Sequence, residues 1–208
     1  LPEIKDTHSP EFTVVNAENA AGGFGVTAEI VDEFLGPGEI DLLTSGNHIW
    51  DKKDIIPHLD SKLPIIRPLN YPPGTPGQGY TRKDNFMVVN LLGRVFVGTV
   101  DCPFRAIDQI LSGQTDLPKV ILVDIHAEAT SEKQAMGWHL DGRVSAVVGT
   151  HTHVPTADTR ILPKGTAYVS DLGMVGPLNS IIGAEPNDAM GRFLDQVPRR
   201  LNMVIDGP

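Results

Sequence analysis

The 208-residue sequence predicts an α/β fold built on mixed sheets, and three observations carry that expectation. Short runs of aliphatic and β-branched residues recur with helix-sized gaps between them, the pattern of buried strands. Two longer stretches alternate like hairpins. Two further segments are bracketed by helix start and stop residues. Strand–helix units combined with hairpins suggest a mixed sheet, or two sheets packed between helices.

In chain order, "FTVVN" (12–16) reads as a strand followed by Glu18 and Asn19. "AAGGFG" (20–25) lacks the GxGxxG spacing of a phosphate loop and reads as a tight turn. "TAEIVDEFLG" (27–36) is a helix with Thr27 as N-cap and Gly36 as stop. "IDLLTSGNH" (40–48) is a strand that delivers Asn47 and His48. "RPLNYPPGTPGQGY" (67–80) is too rich in Pro and Gly for a regular element and reads as a surface loop. "NFMVVNLLGRVFVGTVD" (85–101) alternates like a hairpin. "VILVDIH" (120–126) ends on His126. "SEKQAMGWHLDG" (131–142) is a helix with Ser131 and Gln134 in capping-box spacing and Gly142 as stop. "SAVVGTHTH" (145–153) is a strand whose last residues, His151 and His153, stand two apart. In an extended segment that spacing turns both imidazoles toward one point. "TRILPKGTAYVSD" (159–171) is a second hairpin. No internal repeat or linker divides the chain, so a single domain over 1–208 is expected.

Composition narrows the function. Lys and Arg number 17 against 26 Asp and Glu, a net charge of −9, without a basic run. Duplex nucleic acid is therefore not an expected partner, because neutralising phosphates needs clustered cations. A small phosphate-bearing substrate remains possible if metal ions bring the positive charge. The single Cys102 excludes an intrachain disulfide and suits a reducing compartment. No apolar run is long enough for a membrane helix.

Four of the seven histidines, His48, His126, His151 and His153, lie at strand exits. Ligand sites in open α/β sheets form at the carboxyl ends of strands. Glu18, Asn19, Asn47, His126, His151 and His153 therefore form a candidate metal-ligand set, with His48 beside them. Nitrogen and oxygen donors without thiolate suit Mn, Fe or Zn. Six or seven donors exceed a closed zinc tetrahedron, whereas two ions sharing Glu18 would use them well. Such a pair holds a bridging hydroxide and clamps phosphoryl oxygens during in-line attack, and His48 could protonate the leaving oxygen. Glu128 reads as a complement to the dipole of the following helix. Asp51, Asp158 and Asp171 read as solvated or turn residues.

"GNH", the isolated His126 and "GTHTH" resemble motifs of the calcineurin-like metallophosphoesterases. The longer strings "NAENAAGGFG", "GNHIWD", "RPLNYPPGTPGQGY", "DIHAEATSEKQAMGWHLDGRVSAVVGTHTHVPTAD" and "TAYVSDLGMVGP" resemble the bacterial YmdB-type phosphodiesterases through nearly the whole chain. The resemblance implies a four-layer α/β/β/α sandwich and a cytoplasmic hydrolase of phosphodiesters such as 2′,3′-cyclic nucleotides. It implies two divalent ions, Fe or Mn, with Zn or Mg as alternatives. By motif, Glu18 would bridge them, Asn19 and His153 would hold the first, and Asn47, His126 and His151 the second. His48 would be the proton donor. "NAEN" stands where the wider superfamily has GDxxD and "GNHI" where it has GNHE, both usual for this branch.

The chain opens on Leu with polar residues and stops inside an apolar run, so a sequence truncated at both ends is expected. The family's first strand ends in a GD motif whose Asp binds the first metal, and that strand has no counterpart here. This sets up the rival expectation of a catalytically impaired, metal-binding regulatory protein acting through partners. An amidohydrolase is a weaker rival, since its HxH comes on the first strand and a metal-bridging lysine follows. A homo-oligomer is a further expectation.

Overall fold

Alternation along one central strand sets out the layers. In β5 (Val120–His126), Ile121, Val123 and Ile125 join one core, while Leu122 and Asp124 turn to the opposite face. The structure is a computed structural model and describes residues 2–37, 39–61 and 63–205.

β5 lies inside a six-stranded mixed sheet. Its neighbours are β4 (Phe86–Leu92) and β6 (Ala146–Thr150), both parallel to it. Beyond β6 comes the parallel β8 (Ala167–Val169). Antiparallel partners close the two edges, β3 (Tyr80–Lys83) on β4 and β7 (Arg160–Ile161) on β8. A second sheet pairs β1 (Val14–Asn16) with β2 (Leu42–Thr44) in parallel, and Leu43 bridges in parallel to Ile65.

Three apolar clusters hold the layers together. Met87, Val89, Ile121, Val123, Ile125 and Val147 pack against α4 (Pro103–Ser112) and α5 (Thr130–Leu140) through Ile107, Leu111, Met136 and Leu140. On the small sheet, Leu43 packs with Val31 of α2 (Ala28–Leu35) and with Ile55 and Leu59 around α3 (Ile56–Leu59). Between the sheets sit Leu42, Ile66 and Val88, with Phe12, Val14 and Leu122 beside them. The order is therefore helix, sheet, sheet, helix, the four-layer sandwich expected. α1 (Pro2–His8) and α6 (Pro186–Asp195) complete the helices.

Several boundaries differ from the sequence reading. The strand expected over 40–48 ends at Thr44, and Asn47–Trp50 forms a 3₁₀ helix. The strand expected over 145–153 ends at Thr150. β4 pairs upstream with β3, not with 93–101, because Asp84 adopts φ 51 and closes a two-residue turn between Lys83 and Phe86. The loop over 67–80 is not merely superficial. Arg67 is 8% exposed, and its guanidinium donates to the carbonyls of Pro68, Leu69, Thr75 and Pro76. Thr27 caps α2 as expected, accepting from Ile30 N. The capping box at Ser131 does not form, since α5 begins at Thr130 behind Ala129, which makes no side-chain cap. The sequence reading passed over α4, although Phe104, Ile107, Ile110 and Leu111 carry helical spacing and all pack on the large core.

Candidate metal centre

All seven residues singled out from the sequence lie at or just beyond the carboxyl ends of strands, and five of them gather at two poles. At the first, one ligand atom each from Glu18, His126 and His151 lies within 4.8 Å of the others. His126 Nε2 is 2.8 Å from Glu18 Oε2 and 3.0 Å from His151 Nδ1. At the second, Asn19 Nδ2 lies 3.1 Å from His153 Nε2. Glu18 ties β1 to the 3₁₀ helix by accepting the backbone N–H of His48 at 3.0 Å. Asn47 enters behind Gly46, where a Cβ would stand 2.4 Å from both Glu18 Oε1 and His126 Nε2. Only glycine leaves that space open.

The donor set passes a direct test of fit to divalent ions. Among the described residues, the buried side-chain polar atoms without a protein partner are Asn19 Oδ1, Asn47 Oδ1 and His153 Nδ1. A buried acceptor left unpaired is costly, and folded proteins rarely tolerate one without reason. All three belong to the candidate ligand set, and the two amide oxygens are acceptors a cation would satisfy.

Supporting contacts orient the donors. Thr150 Oγ1 donates to Asp124 Oδ1 at 2.7 Å and stands 2.9 Å from His126 Nδ1. With its proton engaged, Thr150 accepts from Nδ1–H, which fixes the ring with Nε2 facing the site. Asp124 also accepts from Thr44 and Asn16, so this buried carboxyl links both sheets to the lone histidine. Burial pushes its pKa up, against those hydrogen bonds and the nearby His126. Burial also pulls Glu18 upward, but the His126 hydrogen bond and charge, with His48 N–H, hold it below its ordinary range. His151 is pushed below the usual histidine value by burial first and by His126 second.

The two paired histidines are not presented as the sequence suggested. An extended strand would aim both at one point, but His151 has φ 110 and His153 has φ 67. Non-glycine residues in that region cost on the order of 1–3 kcal/mol each. The kinked backbone separates the rings, sending His151 to the first pole and His153 to the second.

Four acidic residues need revision. Glu128 is not simply a dipole complement, since its Oε2 lies 3.1 Å from His151 Nε2. Asp51, although exposed, places Oδ2 2.8 Å from His48 Nδ1. Asp171 is not solvated: it is 2% exposed and accepts from Lys133 Nζ at 2.6 Å. Asp158, read as a turn residue, accepts from Thr156 Oγ1 and from Ser170 N and Oγ. For Asp51 and Glu128 a signal existed, because each follows a candidate histidine by three or two positions. The expected tight turn at 20–25 is present, with Gly22, Gly23 and Gly25 at positive φ. It displays Phe24, 55% exposed, with its ring edge-on to His48 at 5.1 Å.

A family model described as YmdB-like protein matches residues 1–208. The chain belongs to the YmdB-like family. It is similar to the 2′,3′-cyclic-nucleotide 2′-phosphodiesterase of Bacillus subtilis strain 168, with 46% identity over 207 residues, spanning 98% of this chain and 78% of that protein. Among solved structures, it resembles a hypothetical protein from Thermus thermophilus, with TM-score 0.90 and 44% identity over 98% of this chain and 80% of that one. It also resembles a novel phosphatase from Mycoplasma pneumoniae, with TM-score 0.88 and 33% identity over 98% and 75%. No helix among the described residues of this YmdB-like chain is long and apolar enough to cross a membrane.

Proposed function

We propose that this YmdB-like chain is a dinuclear metal-dependent phosphodiesterase acting on 2′,3′-cyclic nucleotides, small anions that a chain of net charge −9 could bind where metal ions supply positive charge. The observation that carries the reading is the convergence of Glu18, His126 and His151 beside orphaned donors of Asn19, Asn47 and His153. Glu18 would be shared between two ions, Fe or Mn in preference to Zn or Mg. Asn19 and His153 would complete one site, and Asn47, His126 and His151 the other. Divalent ions held there supply positive charge to the phosphoryl oxygens and make water acidic enough to attack at neutral pH.

The protein's own groups supply the rest. Water adds to phosphorus, the bond from phosphorus to the 2′-oxygen breaks, and that oxygen must receive a proton. His48 would give it. With Nδ1 engaged by Asp51, the proton available for transfer is the one on Nε2. Asp51 holds the ring in one orientation, as carboxylate partners of catalytic imidazoles do. Phe24, edge-on to His48, offers an exposed aromatic face on which a nucleobase can stack. The Bacillus subtilis relative's name supports this substrate class.

The test is hydrolysis of 2′,3′-cyclic nucleotides by protein loaded with Mn²⁺, before and after chelation. Turnover that chelator abolishes and Mn²⁺ restores is the expected result. Metal binding without turnover would instead favour the regulatory role.

A further inference from the structure

The carboxylate of Asp171 gathers three donors on a single oxygen. Its Oδ2 accepts from Lys133 Nζ at 2.6 Å, from Thr152 N at 3.0 Å and from Thr152 Oγ1 at 2.8 Å. Thr152 is the residue between His151 and His153. The second oxygen, Oδ1, accepts from Gly173 N at 2.8 Å, so the carboxylate cannot swing away. Both side chains of the Lys133–Asp171 pair are 2% exposed.

Such a pair is a weak source of stability, because desolvating two charges cancels much of their attraction. What it does provide is an ionised acceptor at a fixed point. The segment it contacts needs one. His151 and His153 both occupy positive φ, and two such residues within three positions persist only where neighbours over-determine them. Asp171 supplies the central constraint, and Met174 N–H adds another by donating to His153 O at 3.0 Å. The sequence leaves room for the lysine to arrive. At Gly149 a Cβ would lie 2.9 Å from Lys133 Cδ and 1.8 Å from Ser170 O.

We propose that the buried Lys133–Asp171 pair is a positioning device for the metal centre. Through Thr152 it holds the His-Thr-His segment in the paired left-handed conformation that sends one imidazole to each pole. Lys133 and Asp171 touch no substrate or ion themselves. The inference rests on the phosphodiesterase reading of the site.

The experiment replaces the ion pair by apolar groups of similar size, Lys133→Met with Asp171→Leu, in the full chain. Exchanging the pair as a unit leaves no buried charge unpaired, but Thr152 N, Thr152 Oγ1 and Gly173 N lose their acceptor, so a lowered Tm with a folded chain is expected. The apolar pair gives Thr152 no acceptor. Calorimetric titration with Mn²⁺ is then expected to show binding weakened about 10- to 100-fold, the usual loss when an orienting partner of a metal ligand is removed. The Cα and Cβ chemical shifts of His151 and His153 in metal-free protein are expected to leave their left-handed values. Native Mn²⁺ affinity with unchanged shifts would overturn the proposal and leave the pair a purely structural tie. Should the double variant not fold, Thr152→Val decides: shifted histidine resonances and several-fold weaker Mn²⁺ binding support the device, and native values overturn it. If the wild-type chain binds no Mn²⁺, the phosphodiesterase reading fails, and the chemical shifts alone still judge the positioning role.

Discussion

His126 Nε2 lies 2.8 Å from Glu18 Oε2, joining the last residue of a strand in the large sheet to the loop that leaves the small one. That contact spans the two sheets and lies at the heart of the first pole. Gly46 borders it so closely that any side chain there would intrude on both atoms. Gly46→Ala is therefore expected to lose metal at this pole and to lower stability by about 1–3 kcal/mol, the usual cost of overpacking. Elemental analysis of metal per chain, together with thermal melts, checks both outcomes.

His48 is the proposed proton donor to the leaving oxygen, and it lies outside the proposed ligand set. His48→Ala is expected to reduce kcat by about 10²–10⁴-fold, the typical contribution of a general acid, while metal content stays native. Asp51→Asn, which weakens the hold on Nδ1, is expected to give a smaller loss. Native turnover in His48→Ala would remove it from the mechanism.

Phe24 sits beside His48 and is open to a ligand. Stacking of a base on an aromatic side chain contributes about 1–3 kcal/mol. Phe24→Ala is expected to raise KM for 2′,3′-cyclic nucleotides and to leave hydrolysis of a base-free ribose 2′,3′-cyclic phosphate unchanged. Equal effects on both substrates would sink the stacking role.

Asp158 tests the electrostatics of the loop behind the site. Partial burial raises its pKa, but hydrogen bonds from Ser170 and Thr156 outweigh this and hold it below the ordinary 3.8. Folding thus favours the ionised form. The contribution is complete above pH 3.8 and is lost as pH falls through the lower folded value. Asp158→Asn is expected to melt below wild type at neutral pH, with the gap narrowing in strongly acidic buffer. A gap independent of pH would show that the carboxylate's charge is immaterial.

Much of the molecule was legible in one dimension. The run 120–126 is β5 to the residue, Thr27 caps its helix, and 159–171 contains the β7–β8 hairpin. These features depend on side-chain alternation and local capping, which act between near neighbours. The error at β4 came from the same source. Its downstream residues alternate as well as its upstream ones, and only the Asp84 turn chose between them.

The sequence by itself determined which candidate donors follow each strand, because the apolar runs mark the strands and the polar residues behind them mark their exits. It did not determine how the donors are aimed. His151 and His153 read as two rings on one face of a strand, yet tertiary contacts hold them at positive φ and send them to different poles. Their supports, Lys133 from α5 and Asp171 from beyond β8, are distant along the chain and read as unremarkable residues. Paired left-handed backbone at histidine is more than that residue's modest local preference can hold. It exists only where packed layers supply a buried acceptor at the right point, and that is a property of the folded molecule alone.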